Sequence, residues 1–130
     1  MAEGQALESP YKTSGLRRAW GALRNSLRGL RAAWRTESAL RQEGLLAALL
    51  LPLGLWLGDD GVQRALLVAS VLLVPIVELL NTSLECAIDR ISLEHNDLSG
   101  QAKDLGSAAV LLTLLLCAAT WALVLLPRWL

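Results

Sequence analysis

Two hydrophobic patterns divide this chain. Leu16, Trp20, Leu23, Leu27, Leu30 and Trp34 recur every three or four positions, which places them on one stripe of a helix with 3.6 residues per turn. From residue 44 onward the periodicity disappears, and apolar positions run almost unbroken through 44–58, 65–80 and 107–126. A helix apolar on every side belongs in a protein core or in hydrocarbon. The pattern predicts an amphipathic helix over 15–35, then helices over 38–58, 64–90 and 104–127. Residues 1–14 are expected to form a flexible N-terminus, and 1–130 a single domain.

A spanning helix needs about 20 residues. The run 107–126 supplies them without a charge, and Pro127 follows as a stop. The run 65–84 supplies them only if Glu78 and Asn81 are accommodated. The first run is too short alone, so its helix must begin near Ser38 and draw Arg41, Gln42 and Glu43 into its first turns. The expected fold class is an all-α membrane protein: an N-terminal surface helix and three transmembrane helices.

Composition sharpens this through its distribution. The chain is 54% hydrophobic and carries no net formal charge. Eight of its twelve Lys and Arg residues nevertheless lie within the first 41 positions. Such a basic segment suits nucleic acid or an anionic membrane surface. It leads straight into an apolar run and holds no nucleic-acid motif, so the membrane surface is favoured. Residues 1–30 contain no apolar run of the signal-peptide kind, so the first apolar segment is expected to stay in the mature protein. Cys86 and Cys117 have no metal-type spacing and read as small apolar residues.

Basic residues also set an orientation. The N-terminal arm is Arg-rich, the first connection carries Asp59 and Asp60, and the second carries Arg90 and Lys103. The N-terminus and second connection are expected in the cytoplasm, and the C-terminus outside. Trp56, Trp121 and Trp129 then fall at the outer interface as an aromatic belt.

The stretch VELLNTSLECAIDR, residues 77–90, carries the candidate chemistry. Glu78, Asn81, Glu85 and Asp89 share one helical face, and Glu78 lies roughly 10 Å of helix deeper than Glu85. Membrane carboxylates are costly and point to function. Glu37 with Arg41, and Lys103 with Asp104, fall at the same level. Carboxylates at a lipid–water boundary suit a magnesium ion, which takes oxygen ligands and usually keeps phosphates and waters. They equally suit a general base for a lipid hydroxyl. Glu78 as base, Glu85 and Glu37 as Mg²⁺ ligands, and Lys103 as phosphate neutraliser is one division of labour. A structural alternative pairs Glu78 with Arg41 or Lys103 as a strut. A proton-coupled transporter is a further alternative, but its site belongs near the midplane; a pure anchor subunit is another. No G-x-x-x-x-G-K-[ST] loop is present. His95 reads as solvated, and the GSAA run from Gly106 as a close helix contact.

Three stretches, GLRAAWRTESALRQEG (29–44), VELLNTSLECAIDRI (77–91) and LSGQAKDLGSAAVL (98–111), closely resemble the signature regions of the prokaryotic integral-membrane diacylglycerol kinases. The resemblance covers about residues 29–126. It implies a homotrimeric helical bundle in the bacterial inner membrane that transfers the γ-phosphate of Mg·ATP to diacylglycerol, giving phosphatidic acid. It likewise implies Glu78 as general base and Glu37 and Glu85 as metal ligands that also hold ATP. Asn81, Glu94, Lys103 and Asp104 would contact the nucleotide. Arg31, Trp34, Arg41, Gln42, Glu43, Arg64 and Ser107 would belong to the lipid substrate or the site's framework. Undecaprenol kinases of the same family are the alternative in substrate. Asn25, Leu40, His95 and Asn96 depart from the family pattern near the nucleobase and in the RQE motif, and Pro75 falls one turn before Glu78.

Overall fold

The computed structural model describes residues 15–129; the expectation for 1–14 lies outside them. Four helices follow in chain order: α1 (Leu16–Thr36), α2 (Ser38–Leu57), α3 (Gly61–Ile91) and α4 (Asp97–Leu125), closed by a 3₁₀ turn at Leu126–Arg128. The described residues fall into two compact units, one ending at Thr36 and the other beginning at Glu37.

The first unit contains α1. Its leucines and tryptophans, from Leu16 to Trp34, stay largely exposed, and so do its arginines. Water alone does not stabilise such an arrangement.

In the second unit, α2, α3 and the segment Asp97–Arg128 are each long and apolar enough to cross a bilayer. The chain is a membrane protein on that ground. The 31 residues of α3 rise about 46 Å, against a hydrocarbon core of about 30 Å, so several turns project beyond it. Asp60 caps its start by accepting from the Gln63 amide. Asn96 caps α4, its side chain accepting from Leu98 and Ser99, and this cap starts the helix seven residues earlier than the apolar pattern suggested. Hydropathy locates the apolar part of a helix, and caps locate its end.

Helix α3 is the central element, packed against both α2 and α4. Its buried face runs through Leu67, Val71 and Val74 to Glu78, in steps of three and four. Leu67 is fully buried. Gly54 of α2 permits a close approach, since a Cβ there would lie 3.2 Å from the Leu67 Cβ and 3.4 Å from the Trp121 ring. Trp121 was expected in an outer aromatic belt. It turns inward instead, and its indole N–H donates to the Leu67 carbonyl at 3.3 Å. Trp56 and Trp129 are exposed. Leucines such as Leu45, Leu49, Leu80, Leu112 and Leu123 face outward, as lipid contact requires.

Candidate functional site

The polar site continues the apolar core stripe of α3. After Val74 the same face presents Glu78, then Asn81 and Thr82, then Glu85, before returning to buried Ile88. Glu78 is only 7% exposed. Its carboxylate repels those of Glu85 and Glu37, and Glu43 is repelled by Glu78 in turn. Four acidic groups from α2, its N-cap and α3 therefore share one neighbourhood.

Local structure explains why these groups remain available. Glu37 occupies the N-cap position of α2, yet its side chain makes no capping hydrogen bond, leaving the carboxylate uncommitted to the helix end. The Asn81 amide donates to the Glu85 carboxylate across 3.4 Å. Its own carbonyl oxygen, Oδ1, is buried without a partner, as is Oε2 of Glu43. Buried polar atoms are normally hydrogen-bonded, so two orphans on adjacent helices mark a site whose partners come from elsewhere.

Asn81 is held there by α4. A Cβ on Gly106 would collide with Asn81 Oδ1 and lie 3.2 Å from its Cγ and 3.3 Å from Leu84 Cδ2. The close contact expected of the GSAA run is therefore made at the site itself.

Lys103 donates to Asp89 at 2.7 Å, with both side chains about half exposed, and it is also attracted by Glu85. The strut reading that paired Glu78 with Lys103 gives way to this bridge. Lys103, Asp89 and Glu94 line a polar cleft of about 300 Å³ together with Ser92, His95 and Asn96. Asp104 is exposed. His95 lies 3.3 Å from Asp97, with both fully open to solvent.

Glu43 heads a second cavity, of about 340 Å³ and almost wholly apolar, bounded by Leu50, Val74, Leu114 and Trp121. Arg41 and Gln42 lie on the same helix, while Ser107 is exposed on α4. Arg64 is not beside these groups. Its Nε donates to the Leu55 carbonyl at 3.1 Å in the α2–α3 turn, roughly 21 Å of helix from Glu78. Arg31 and Trp34 belong to the other unit, on the exposed surface of α1.

Sequence reading missed two features. One is the repulsion between Glu43 and Glu78, which needs the register of two helices. The other is the C-terminal Arg128, which donates to the Leu57 carbonyl and to Gln63 Oε1, both at 2.6 Å, and pairs with Asp59 at 2.9 Å. The acidic DD pair opposite a terminal arginine was the available signal for it.

The donors around Glu78 are all oxygens, the set that a hard divalent cation takes. Among the described residues no three His, Cys, Asp or Glu side chains converge to hold a metal ion by themselves. Two carboxylates and the Asn81 oxygen would need further oxygens from a bound phosphate. The electrostatics agree, because an anionic phosphate cannot settle among four carboxylates without a cation between them.

Comparison with known proteins is consistent with this chemistry. The family described as prokaryotic diacylglycerol kinase matches residues 24–125. The diacylglycerol kinase of Escherichia coli K12 is 47% identical over 113 residues, covering 87% of this chain and 93% of the relative. That of Pseudomonas aeruginosa is 46% identical over 119 residues, covering 91% and 97%. That of Helicobacter pylori 26695 is 38% identical over 123 residues, covering 95% and 96%.

Proposed function

The chain belongs to the prokaryotic diacylglycerol kinase family, and is thus a kinase; we propose that it moves the γ-phosphate of ATP to the free hydroxyl of diacylglycerol at the carboxylate cluster around Glu78. The observation that carries this reading is the depth of Glu78. It is a buried carboxylate at the end of an apolar core stripe, and a carboxylate held at membrane depth points to function.

In the proposed reaction Glu78 accepts the proton of the diacylglycerol hydroxyl as that oxygen attacks the γ-phosphorus. The bond to the β-phosphate oxygen breaks, leaving ADP and phosphatidic acid. Glu37 and Glu85, with Asn81 Oδ1, would hold Mg²⁺, which neutralises phosphate charge when bound. Lys103, released from Asp89, would contact the phosphates, and Asp104 and Glu94 would border the nucleotide in the polar cleft. Glu43, Arg41, Gln42 and Ser107 would position the lipid head, and Arg31 and Trp34 would meet lipid on the surface of α1 itself. For Arg64 a framework role at the turn fits its hydrogen bond better than substrate contact.

Helix α1 lies on the cytoplasmic face of the bacterial inner membrane, its apolar stripe in the acyl boundary and its arginines towards anionic headgroups. The N-terminus is cytoplasmic and the C-terminus outside. Three copies assemble as a homotrimer, because one three-helix unit leaves the polar groups of α3 incompletely enclosed from lipid. Transport and pure anchoring are set aside with membership in a kinase family.

The test is phosphate transfer from Mg·ATP in mixed micelles, comparing diacylglycerol with undecaprenol, wild type with Glu78→Gln. Phosphatidic acid formation that falls about 10²–10⁴-fold in the variant supports the assignment. Activity on undecaprenol alone would redirect the substrate, and an active Glu78→Gln chain would remove Glu78 from the chemistry.

A further inference from the structure

The arginines of α1 are distributed unevenly around the helix. With Leu27 set at zero and about 100° per residue, Arg31, Arg24, Arg17 and Arg28 fall at roughly 40°, 60°, 80° and 100°. The opposite flank carries no arginine, only small residues such as Ala19, Ser26 and Ala33. An amphipathic helix needing charge only for solubility gains nothing from such one-sidedness. On the basic flank Arg24, Arg28, Arg31 and Leu27 together line a shallow cavity of about 240 Å³, and all three arginines are exposed.

We propose that the flank formed by Arg24, Arg28 and Arg31 is a binding site for the headgroup of a lipid phosphomonoester, the product of the proposed reaction. The identity of the ligand as product rests on the proposed function; the chemistry of the site does not. Guanidinium forks bind phosphate oxygens bidentately. A phosphomonoester carries roughly −1.5 to −2 charges near neutral pH and three strong acceptor oxygens, so it can engage several arginines at once, where a phosphodiester presents one charge. Leu27 and the apolar stripe beside it select an amphiphile. The acyl chains lie along that stripe while the phosphate meets the arginines, an arrangement that inorganic phosphate, having no acyl chain, fills only in part. The site would hold product on the kinase's own surface helix and make its occupancy follow product accumulation.

The experiment titrates the full-length chain in detergent micelles, without ATP or Mg²⁺, and reads dissociation constants from ³¹P resonances. The probes are dihexanoyl phosphatidic acid, dihexanoyl phosphatidylglycerol and inorganic phosphate. Phosphatidic acid should bind several-fold more tightly than the other two. Arg24→Gln and Arg28→Gln should each weaken it about fivefold, and Arg18→Gln, which removes the same charge from the far side of α1, should not. Arg28→Lys should fall between, since it keeps charge and loses the fork. Product held in the carboxylate site survives all four variants, so the arginine-dependent component is read by difference. Equal binding of phosphatidylglycerol, effective competition by inorganic phosphate, or an equal loss in Arg18→Gln would overturn the proposal. Because no turnover is needed, failure here leaves the kinase assay untouched, and failure of that assay leaves this one readable.

Discussion

The three-helix unit carries a polar cluster at each end, and the two are built on opposite principles. In the α2–α3 turn every principal polar group is answered. Arg128 reaches the Leu57 carbonyl, Gln63 and Asp59, Arg64 takes the Leu55 carbonyl, and Gln63 accepts from the Asp59 amide. At the other end Glu78 sits among repelling carboxylates, and Asn81 Oδ1 and Glu43 Oε2 are buried without partners. Closed networks hold helices together. Open ones cost stability and persist where a ligand completes them. Judged by satisfaction of its polar groups, one end is architecture and the other is a site.

That contrast can be broken most decisively at Glu78. Glu78→Gln should lower the rate by about 10²–10⁴ while raising the thermal midpoint in detergent, because one repelling charge is gone. A variant losing activity and stability together would make Glu78 a structural member. Next in size is Gly106→Ala, whose added methyl must displace Asn81. Overpacking of this kind costs about 1–3 kcal/mol, and kcat should fall with it, whereas the same change at exposed Gly61 in the closed turn, where a Cβ meets nothing, should leave kcat in place.

Arg128→Gln tests the closed end. Hydrogen bonds to charged groups contribute about 1.5–3 kcal/mol each when well made. Since Asp59 is two-thirds exposed, the Asp59 pair adds little. The expected result is a lower thermal midpoint with unchanged turnover per folded molecule; a fall in kcat would connect the two ends. Glu43→Gln should gain about 0.5–2 kcal/mol in stability while activity declines, the trade expected of a strained site. The smallest effect belongs to Ser70→Ala, which removes only the hydroxyl that donates to the Leu67 carbonyl at 3.0 Å. A cost of about 0.5–1.5 kcal/mol is expected in chemical denaturation.

Particular residues show how far the sequence could be read. The helices were visible because apolar runs are contiguous, and the stripe from Glu78 to Glu85 because helical spacing is local arithmetic. Trp121 was misplaced because its position along α4 suits an interface, while the cavity beside Gly54 that receives its ring is formed by two other helices. The α4 start was placed late because a polar first turn is invisible to hydropathy, although Asn96 was there to cap it. Arg64 and Glu78 lie on one helix, and only the folded turn reveals that the arginine is already engaged.

By itself the sequence determined how many helices there are, which of them are apolar enough for a membrane, and the depth at which Glu78 and Glu85 fall along their helix. These are properties of consecutive residues, settled by a rise of about 1.5 Å and a turn of 3.6 residues. The tertiary structure decided which polar groups are answered and which are left open: Lys103 with Asp89, Arg128 with the α2 terminus, Asn81 against Gly106, Glu43 near Glu78. Those pairings depend on the register between helices, and a shift of one residue turns a side chain by about 100°. No local pattern encodes that choice; the packing of small residues against large ones does.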